Sequence, residues 1–419
     1  MNLKIFAKRV IGLAGGVAAA QLIGLLFLPY LTKIYGPTAY GVFADFSYWA
    51  MLTGIVATLR LDGIFAIERH KHIRRICFGV SLGISLLLFL LTLIIAFFCI
   101  IFFESRTLTT TTLTLLTIAG AMGISVFQFS TGLLTAEQKY KTISLQRIEQ
   151  TTVGGVAQAG FAALSLPLGA GLIIGELLSR ASTLIVVYPI LKNSIHAPIQ
   201  SWRRGFKLFK EQLYRYKGQI FFGTLSSIVS TACVLSPIFF FSSFVSHKAA
   251  GIFFIAYKIT SIPVTLLGRA ASQVVLGDVS KIPPQTLPPI FLKVARLSFA
   301  VALLISLSII GISFLLPFLL HSEEWVEAPV FMRGLVGVCF GQLFLTPLVQ
   351  MYLITKRQRD LLVWECSRFL VVHGAMFIGI MVFNASPTQL IWTYSIFMLL
   401  SYLELYRRLH GVVAKHANI

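Results

Sequence analysis

Apolar residues run through this chain in long unbroken stretches, neither alternating in polarity nor confined to one side of a helical turn. Stretches of about 20 residues or more are long enough for a helix to cross a bilayer. They fall at 10–35, 40–67, 76–103, 108–134, 145–168 and 169–191, and again at 218–245, 249–276, 292–320, 328–354, 361–384 and 387–409. The pattern predicts an all-α polytopic membrane protein of about twelve helices. Strands of a membrane barrel need only about ten residues and alternate strictly, so these runs are too long and too continuous for that architecture.

The runs fall into two sets of six, which predicts an N-lobe over 1–195, a linker over 196–217 and a C-lobe over 218–419. An even number of helices returns the chain to the same side, so the lobes would form a parallel repeat. Each half opens with a Gly-rich helix carrying a late proline, Pro29 or Pro237, and continues into a Gly-[Val/Ile]-Phe element, Gly41-Val42-Phe43 or Gly251-Ile252-Phe253. Matches this short also arise by chance in apolar sequence. The linker carries Trp202, Phe206, Phe209 and Leu213 at helical spacing with basic residues between them. That pattern fits an amphipathic helix on an anionic leaflet and equally a solvated basic loop.

Each repeat places an arginine at nearly the same distance after its Gly-[Val/Ile]-Phe element, Arg60 and Arg269. A cation in lipid costs roughly 2.5–3.5 kcal/mol on insertion scales, so two at matching positions suggest a lined pathway for something anionic. On this topology both lie towards the cytoplasmic third and would face a shared cavity. Lys258 precedes Arg269 by eleven residues, about three turns of straight helix, which would put both on one face. Arg180 and Arg368 would extend the basic ring. Glu176 and Glu365 precede them by four and three residues, so neutralised intrahelical pairs explain them as well.

Composition agrees with the membrane assignment: 57% of the residues are hydrophobic and 12% are charged, outside the range of a soluble fold. The net charge of +20 would suit nucleic acid, but its distribution follows the positive-inside rule instead. Lys4, Lys8, Arg9, Arg69 to Arg75, Lys139, Lys141, the 203–217 segment, Lys293, Arg296, Lys356, Arg357, Arg359, Arg407 and Arg408 collect on one side. Lys33, Arg106, Lys248 and the acidic Glu323, Glu324 and Glu327 fall on the other. Both termini are predicted cytoplasmic, with no role for nucleic acid. The first run continues to about Tyr35, beyond a signal-peptide core, and reads as a retained helix.

Asp45, Asp62, Glu176, Glu365 and His373 are the intramembrane groups able to carry a coupling H+ or Na+. Asp62, two residues from Arg60, would point away from it on a helix, and His373 reads as a packing residue at least as well as a proton relay. Five cysteines, all within apolar runs, form no C-x-x-C pair and give no disulfide framework or metal site. No phosphate loop, H-E-x-x-H or G-x-S-x-G motif occurs, and no extramembrane segment is long enough for a catalytic domain. No catalytic residue or cofactor is expected.

The opening Ala18-Ala19-Ala20-Gln21 and the run Leu28-Pro29-Tyr30-Leu31-Thr32-Lys33-Ile34-Tyr35-Gly36-Pro37-Thr38-Ala39-Tyr40-Gly41-Val42-Phe43-Ala44 resemble the start of Wzx-type O-antigen and polysaccharide flippases. Leu59-Arg60-Leu61-Asp62 resembles the end of their second helix. These proteins belong to the multidrug/oligosaccharidyl-lipid/polysaccharide exporter group, with a MATE-like fold of two six-helix lobes. The resemblance implies a multi-pass protein of the bacterial inner membrane that moves an undecaprenyl-pyrophosphate-linked oligosaccharide to the periplasmic leaflet. Its partners would be membrane lipids and other polysaccharide-assembly proteins, and Arg60, Arg269, Lys258, Arg368 and Arg180 would hold the pyrophosphate. A lipid II flippase, a multidrug exporter of the same fold and a membrane-embedded glycan polymerase or ligase are the competing readings.

Overall fold

A computed structural model describes residues 3–62, 65, 71–102, 108–137, 139–164, 166, 169–195, 199–279, 284–320, 323–355 and 357–417. Among these residues the regular elements are all helical. In chain order they are α1 (Leu3–Ile34), α2 (Pro37–Thr58), α3 (Lys71–Phe102), α4 (Leu108–Ala136), α5 (Tyr140–Ala162), α6 (Ala170–Ile195) and α7 (Ile199–Phe244). There follow α8 (His247–Thr260), a π-helix (Val264–Gly268), α9 (Arg269–Val279), α10 (Leu287–Leu320), α11 (Ala328–Gly334), α12 (Val336–Leu345), α13 (Gln350–Ile354), α14 (Gln358–Met381) and α15 (Pro387–Ala417). Among the described residues seven helices are long and apolar enough to cross a membrane, or eight when the bent pair 247–260 and 264–272 counts as one.

Every predicted apolar run overlaps helix, but three departures matter. The run 40–67 does not stay helical: α2 ends at Thr58, and Leu59 and Arg60 adopt left-handed φ values of 46° and 52°. The run 249–276 bends by 46° at the π-helix, where Pro263 has no N–H for the preceding turn. The linker and the next run are one helix of 46 residues, α7. Of its apolar stripe, Phe209 is buried against Leu61, Phe65, Cys77 and Phe129, whereas Phe206 and Leu213 are exposed. The side chain of Trp202 lies outside the described residues, as do those of Lys4, Lys8, Arg9, Arg69, Arg106 and Lys356.

The contacts divide the chain into two compact units: 1–21, 28–41 and 232–419 in one, 22–27 and 42–231 in the other. In each, apolar side chains face outward along whole helices, such as Leu87, Leu91 and Ile95 on α3 or Leu304, Leu307 and Phe318 on α10. In water such faces would drive association; in lipid they are the solvated surface.

Polar groups are spent inside. In the second unit α5 and α6 are laced together: Gln150 donates to Thr183, Ser179 Oγ donates to the Gln150 carbonyl at 2.8 Å, and Gln158 Nε2 donates to the Leu172 carbonyl at 3.1 Å. Gly154 and Gly175 bring the two backbones close enough for these bonds.

At the α3–α4 end of the same unit, Arg74 Nη1 donates to the Ala136 carbonyl at 2.7 Å and so caps the last turn of α4. Glu137 just beyond is held by Arg75 at 3.2 Å and Lys139 at 2.9 Å. Burial pushes the Glu137 carboxyl up, but hydrogen bonds and charge from Lys139 and Arg75 outweigh it and hold the group below the usual carboxylate range. A carboxyl lowered on folding stabilises the fold above its unfolded pKa of about 4.3 and loses that contribution as pH falls through the folded value. Glu137→Gln should therefore be less stable than the parent at neutral pH. The gap should close in acid, as read by thermal unfolding from pH 7 to 3.

In the first unit Gly41 and Gly251, the glycines of the two Gly-[Val/Ile]-Phe elements, meet. A methyl on Gly41 would strike the His247 backbone, and one on Gly251 would strike the Pro37 backbone. Each glycine thus packs on the residue four before the other, a reciprocal contact between the starts of α2 and α8. Pro37 opens α2, where its fixed φ and missing N–H suit the first turn. Tyr40 and Trp325 close the contact edge to face at 5.6 Å, and Trp325 Nε1 donates to the Thr32 carbonyl at 3.1 Å.

Candidate functional site

The candidate residues divide between the units. In the second, Arg60 sits at the left-handed break after α2. Two consecutive non-glycine residues at positive φ cost on the order of 1–3 kcal/mol each, a strain that persists where surrounding contacts impose it. The break projects a guanidinium whose side chain is 52% exposed. Its Nη1 donates to Ser227 Oγ on α7 at 2.7 Å, and Ser227 in turn donates to the Gly223 carbonyl at 2.8 Å. The expectation that Asp62 points away is not met: the turn replaces helical spacing and brings Asp62 Oδ1 to 4.0 Å from Arg60 Nε. Asp62 also lies against Gly132 of α4. Asp45 is half-buried within α2.

Arg180 pairs with Glu176 at 2.6 Å, one turn away on α6, as the spacing allowed. Its guanidinium lies 5.9 Å from the Phe127 ring, and that of Arg147 on α5 lies 5.7 Å from the same ring. Two cations share one aromatic ring, which offsets part of their mutual repulsion. Arg147 was not among the candidates, since nothing in its surrounding Leu-Gln-Arg-Ile-Glu marks it.

In the first unit Arg269 directly follows the π-helix and is exposed, with no acid at ion-pair distance among the described residues. Lys258 lies before the break and is exposed as well. The three turns of straight helix expected between the two cations are absent, because the bend and the π-turn intervene. Arg269 and Gln342 both lie near the Tyr257 hydroxyl. Gln342 lies close to Tyr402 as well, and the side chains of Tyr257, Thr260, Ser261, Leu335, Val338 and Gln342 close over the break, leaving no space for a water molecule. Cys339 Sγ donates to the Thr260 carbonyl at 3.2 Å, one of the groups at the end of α8.

Arg368 is placed differently. It is 3% exposed, ion-paired with Glu365, 4.5 Å from the Trp364 ring and 3.3 Å from the Tyr402 hydroxyl. The structure commits it to its own unit's interior. His373 Nδ1 donates to the Phe369 carbonyl at 2.7 Å, and its ring stacks on Phe369 at 3.8 Å and packs against Phe240. Its Nε2 is buried with no hydrogen-bond partner among the described residues, so the ring is packed but only half satisfied.

Arg60 and Arg269 therefore share a feature that their spacing alone did not reveal: each stands at a break in an otherwise apolar helix. Interrupted helices within a membrane free backbone groups and polar side chains for a ligand.

A family model described as polysaccharide biosynthesis protein matches residues 6–277. No curated protein matches the chain. Among solved structures, a lipid II flippase MurJ in an inward closed conformation is similar with a TM-score of 0.66 at 14% identity, covering 97% of this chain and 90% of that one. A MATE protein in complex with MaL6 is similar at 0.66 and 15% identity, covering 99% and 97%. A MOP superfamily transporter from Pyrococcus furiosus, described as having a binding pocket of reverse polarity, is similar at 0.62 and 15% identity, covering 98% and 96%. At these identities the likeness fixes the fold: this is a multi-pass membrane protein with MATE/MurJ architecture.

Proposed function

This chain belongs to the polysaccharide biosynthesis protein family, and on that premise we propose that it is a flippase for lipid-linked oligosaccharide. The observation that carries the reading is the pair of exposed arginines, Arg60 and Arg269, each at a break in an apolar helix. An apolar chain retains such groups where an anion needs them, and a guanidinium presents paired donors matched to phosphate oxygens. The substrate is an undecaprenyl-pyrophosphate-linked O-antigen or other polysaccharide repeat unit, moved by alternating access across the bacterial inner membrane. About twelve helices span it with both termini in the cytoplasm, and an H+ or Na+ gradient drives the cycle. Lys258 and Arg180 assist in attracting the anion, and other polysaccharide-assembly proteins supply and receive the substrate.

In cells lacking the endogenous protein, Arg60→Ala and Arg269→Ala should each reduce surface polysaccharide by about tenfold or more. That is the loss of one charge-assisted contact, roughly 1.5–3 kcal/mol. Arg60→Gly separates function from folding, because glycine accepts the left-handed backbone without strain. It should reach at least parental levels in the membrane and still fail to export. Normal export by all three at normal abundance would remove the arginines from the site. The lipid-linked glycan that accumulates in the deletion strain decides between a polysaccharide repeat unit and lipid II.

A further inference from the structure

Within the first unit, residues 355–357 join two apolar spans, Val336–Ile354 and Gln358–Met381, and a cavity of about 430 Å³ opens beside the last turns of α15. We propose that this cavity binds the phosphodiester headgroup of an anionic phospholipid. Its wall includes Tyr352, Arg357, Arg407 and Arg408. Tyr352 is 1% exposed, yet its hydroxyl has no hydrogen-bond partner among the described residues. A buried hydroxyl left in that state is unfavourable, and a headgroup oxygen seated against this wall would satisfy it once the lining parted to admit it.

The charges around it are only partly spent. Arg408 pairs with Glu404 at 2.9 Å and Arg357 with Asp360 at 3.6 Å, whereas Arg407 has no acidic partner among the described residues. Three guanidiniums thus face two carboxylates, leaving one cation to be neutralised. Each paired arginine also keeps donors free for phosphate oxygens. A lipid is favoured over a soluble phosphate by position and lining. The cavity lies at the ends of two spans, at headgroup depth, and the exposed apolar side chain of Val363 borders it. The charge pattern of the sequence puts this end on the cytoplasmic side, whose anionic leaflet supplies the ligand.

The test is native mass spectrometry of the full chain released from nanodiscs, with phosphatidylglycerol, phosphatidylcholine and glycerol phosphate as probes. Phosphatidylglycerol should be retained about tenfold better than phosphatidylcholine. Glycerol phosphate should not displace it, and Arg407→Ala should abolish the preference. The double variant Lys293→Ala/Arg296→Ala, which removes another exposed basic pair on α10, should keep it. Tyr352→Phe should raise the melting temperature without lipid and shrink the further rise that phosphatidylglycerol gives. Equal retention by Arg407→Ala and the parent overturns the proposal, and displacement by glycerol phosphate at equal affinity overturns the assignment to a lipid.

Discussion

Gly251→Ala and Gly41→Ala are each expected to deplete folded protein from the membrane, although each adds one methyl group to a helix. At residue 251 the new carbon would meet the Pro37 carbonyl and lie 2.8 Å from the Gly41 nitrogen; at residue 41 it would lie 2.9 Å from His247 Cα and closer still to its carbonyl. All these neighbours are backbone, so no rotamer change relieves the overlap, and the starts of α2 and α8 must separate. Overpacking costs about 1–3 kcal/mol and occasionally more. The upper end applies here, because the same movement disturbs the Tyr40–Trp325 contact and the Trp325 bond to Thr32. Gly311→Ala supplies the contrast. Nothing lies within 4 Å of its added methyl, and alanine favours α10 by about 1 kcal/mol, so this variant should match or exceed the parent. The fraction of protein remaining monodisperse after heating would rank the three. Equal behaviour of Gly251→Ala and Gly311→Ala would mean the crossing is looser than described.

That contact also marks how far the sequence could be read. The repeated Gly-[Val/Ile]-Phe element was visible as a match of three residues, but its meaning needed the two glycines to be seen meeting. Continuous apolar runs announced the helices, because lipid demands length and apolarity over a whole span. The pairs Glu176–Arg180 and Glu365–Arg368 were legible because helical spacing alone sets them. The break at Leu59-Arg60 was not: it contains neither glycine nor proline, and tertiary contacts hold residues there that the local sequence would keep helical. The bend before Arg269 had a partial signal in Pro263, which removes a donor without specifying a π-turn. Ser227, Tyr257 and Arg147 carry no local mark at all, since each matters through a neighbour distant in the chain. The cavity beside Tyr352 belongs to the same class: its basic residues read as positive-inside charge until α14 and α15 bring them together.

Glu365→Ala is expected to be among the most damaging single changes in the chain, and its partner shows why. Removing the carboxylate takes from Arg368, 3% exposed, the acid it is paired with and leaves it beside the Tyr402 hydroxyl and two aromatic faces. Breaking a buried pair from one side typically costs 3–5 kcal/mol, chiefly through the charge left behind, so about that loss is expected here. Arg368→Met should cost less, because a stranded carboxyl can take up a proton and become neutral whereas a guanidinium cannot shed one. The double change Glu365→Leu/Arg368→Met removes both charges at similar volume and should recover most of the stability. A double-mutant cycle on thermal unfolding would return a coupling of several kcal/mol if the pair is a structural unit. Transport by the recovered double variant then separates the two roles open to these residues. Export near the parental level assigns the pair to the architecture of this unit, and a folded double variant that cannot export returns Arg368 to the pyrophosphate ligands or Glu365 to the coupling ion. The burial of Arg368 and its pairing with Glu365 favour the first outcome, which would leave Arg60 and Arg269, both exposed at their helix breaks, as the cations proposed to meet substrate.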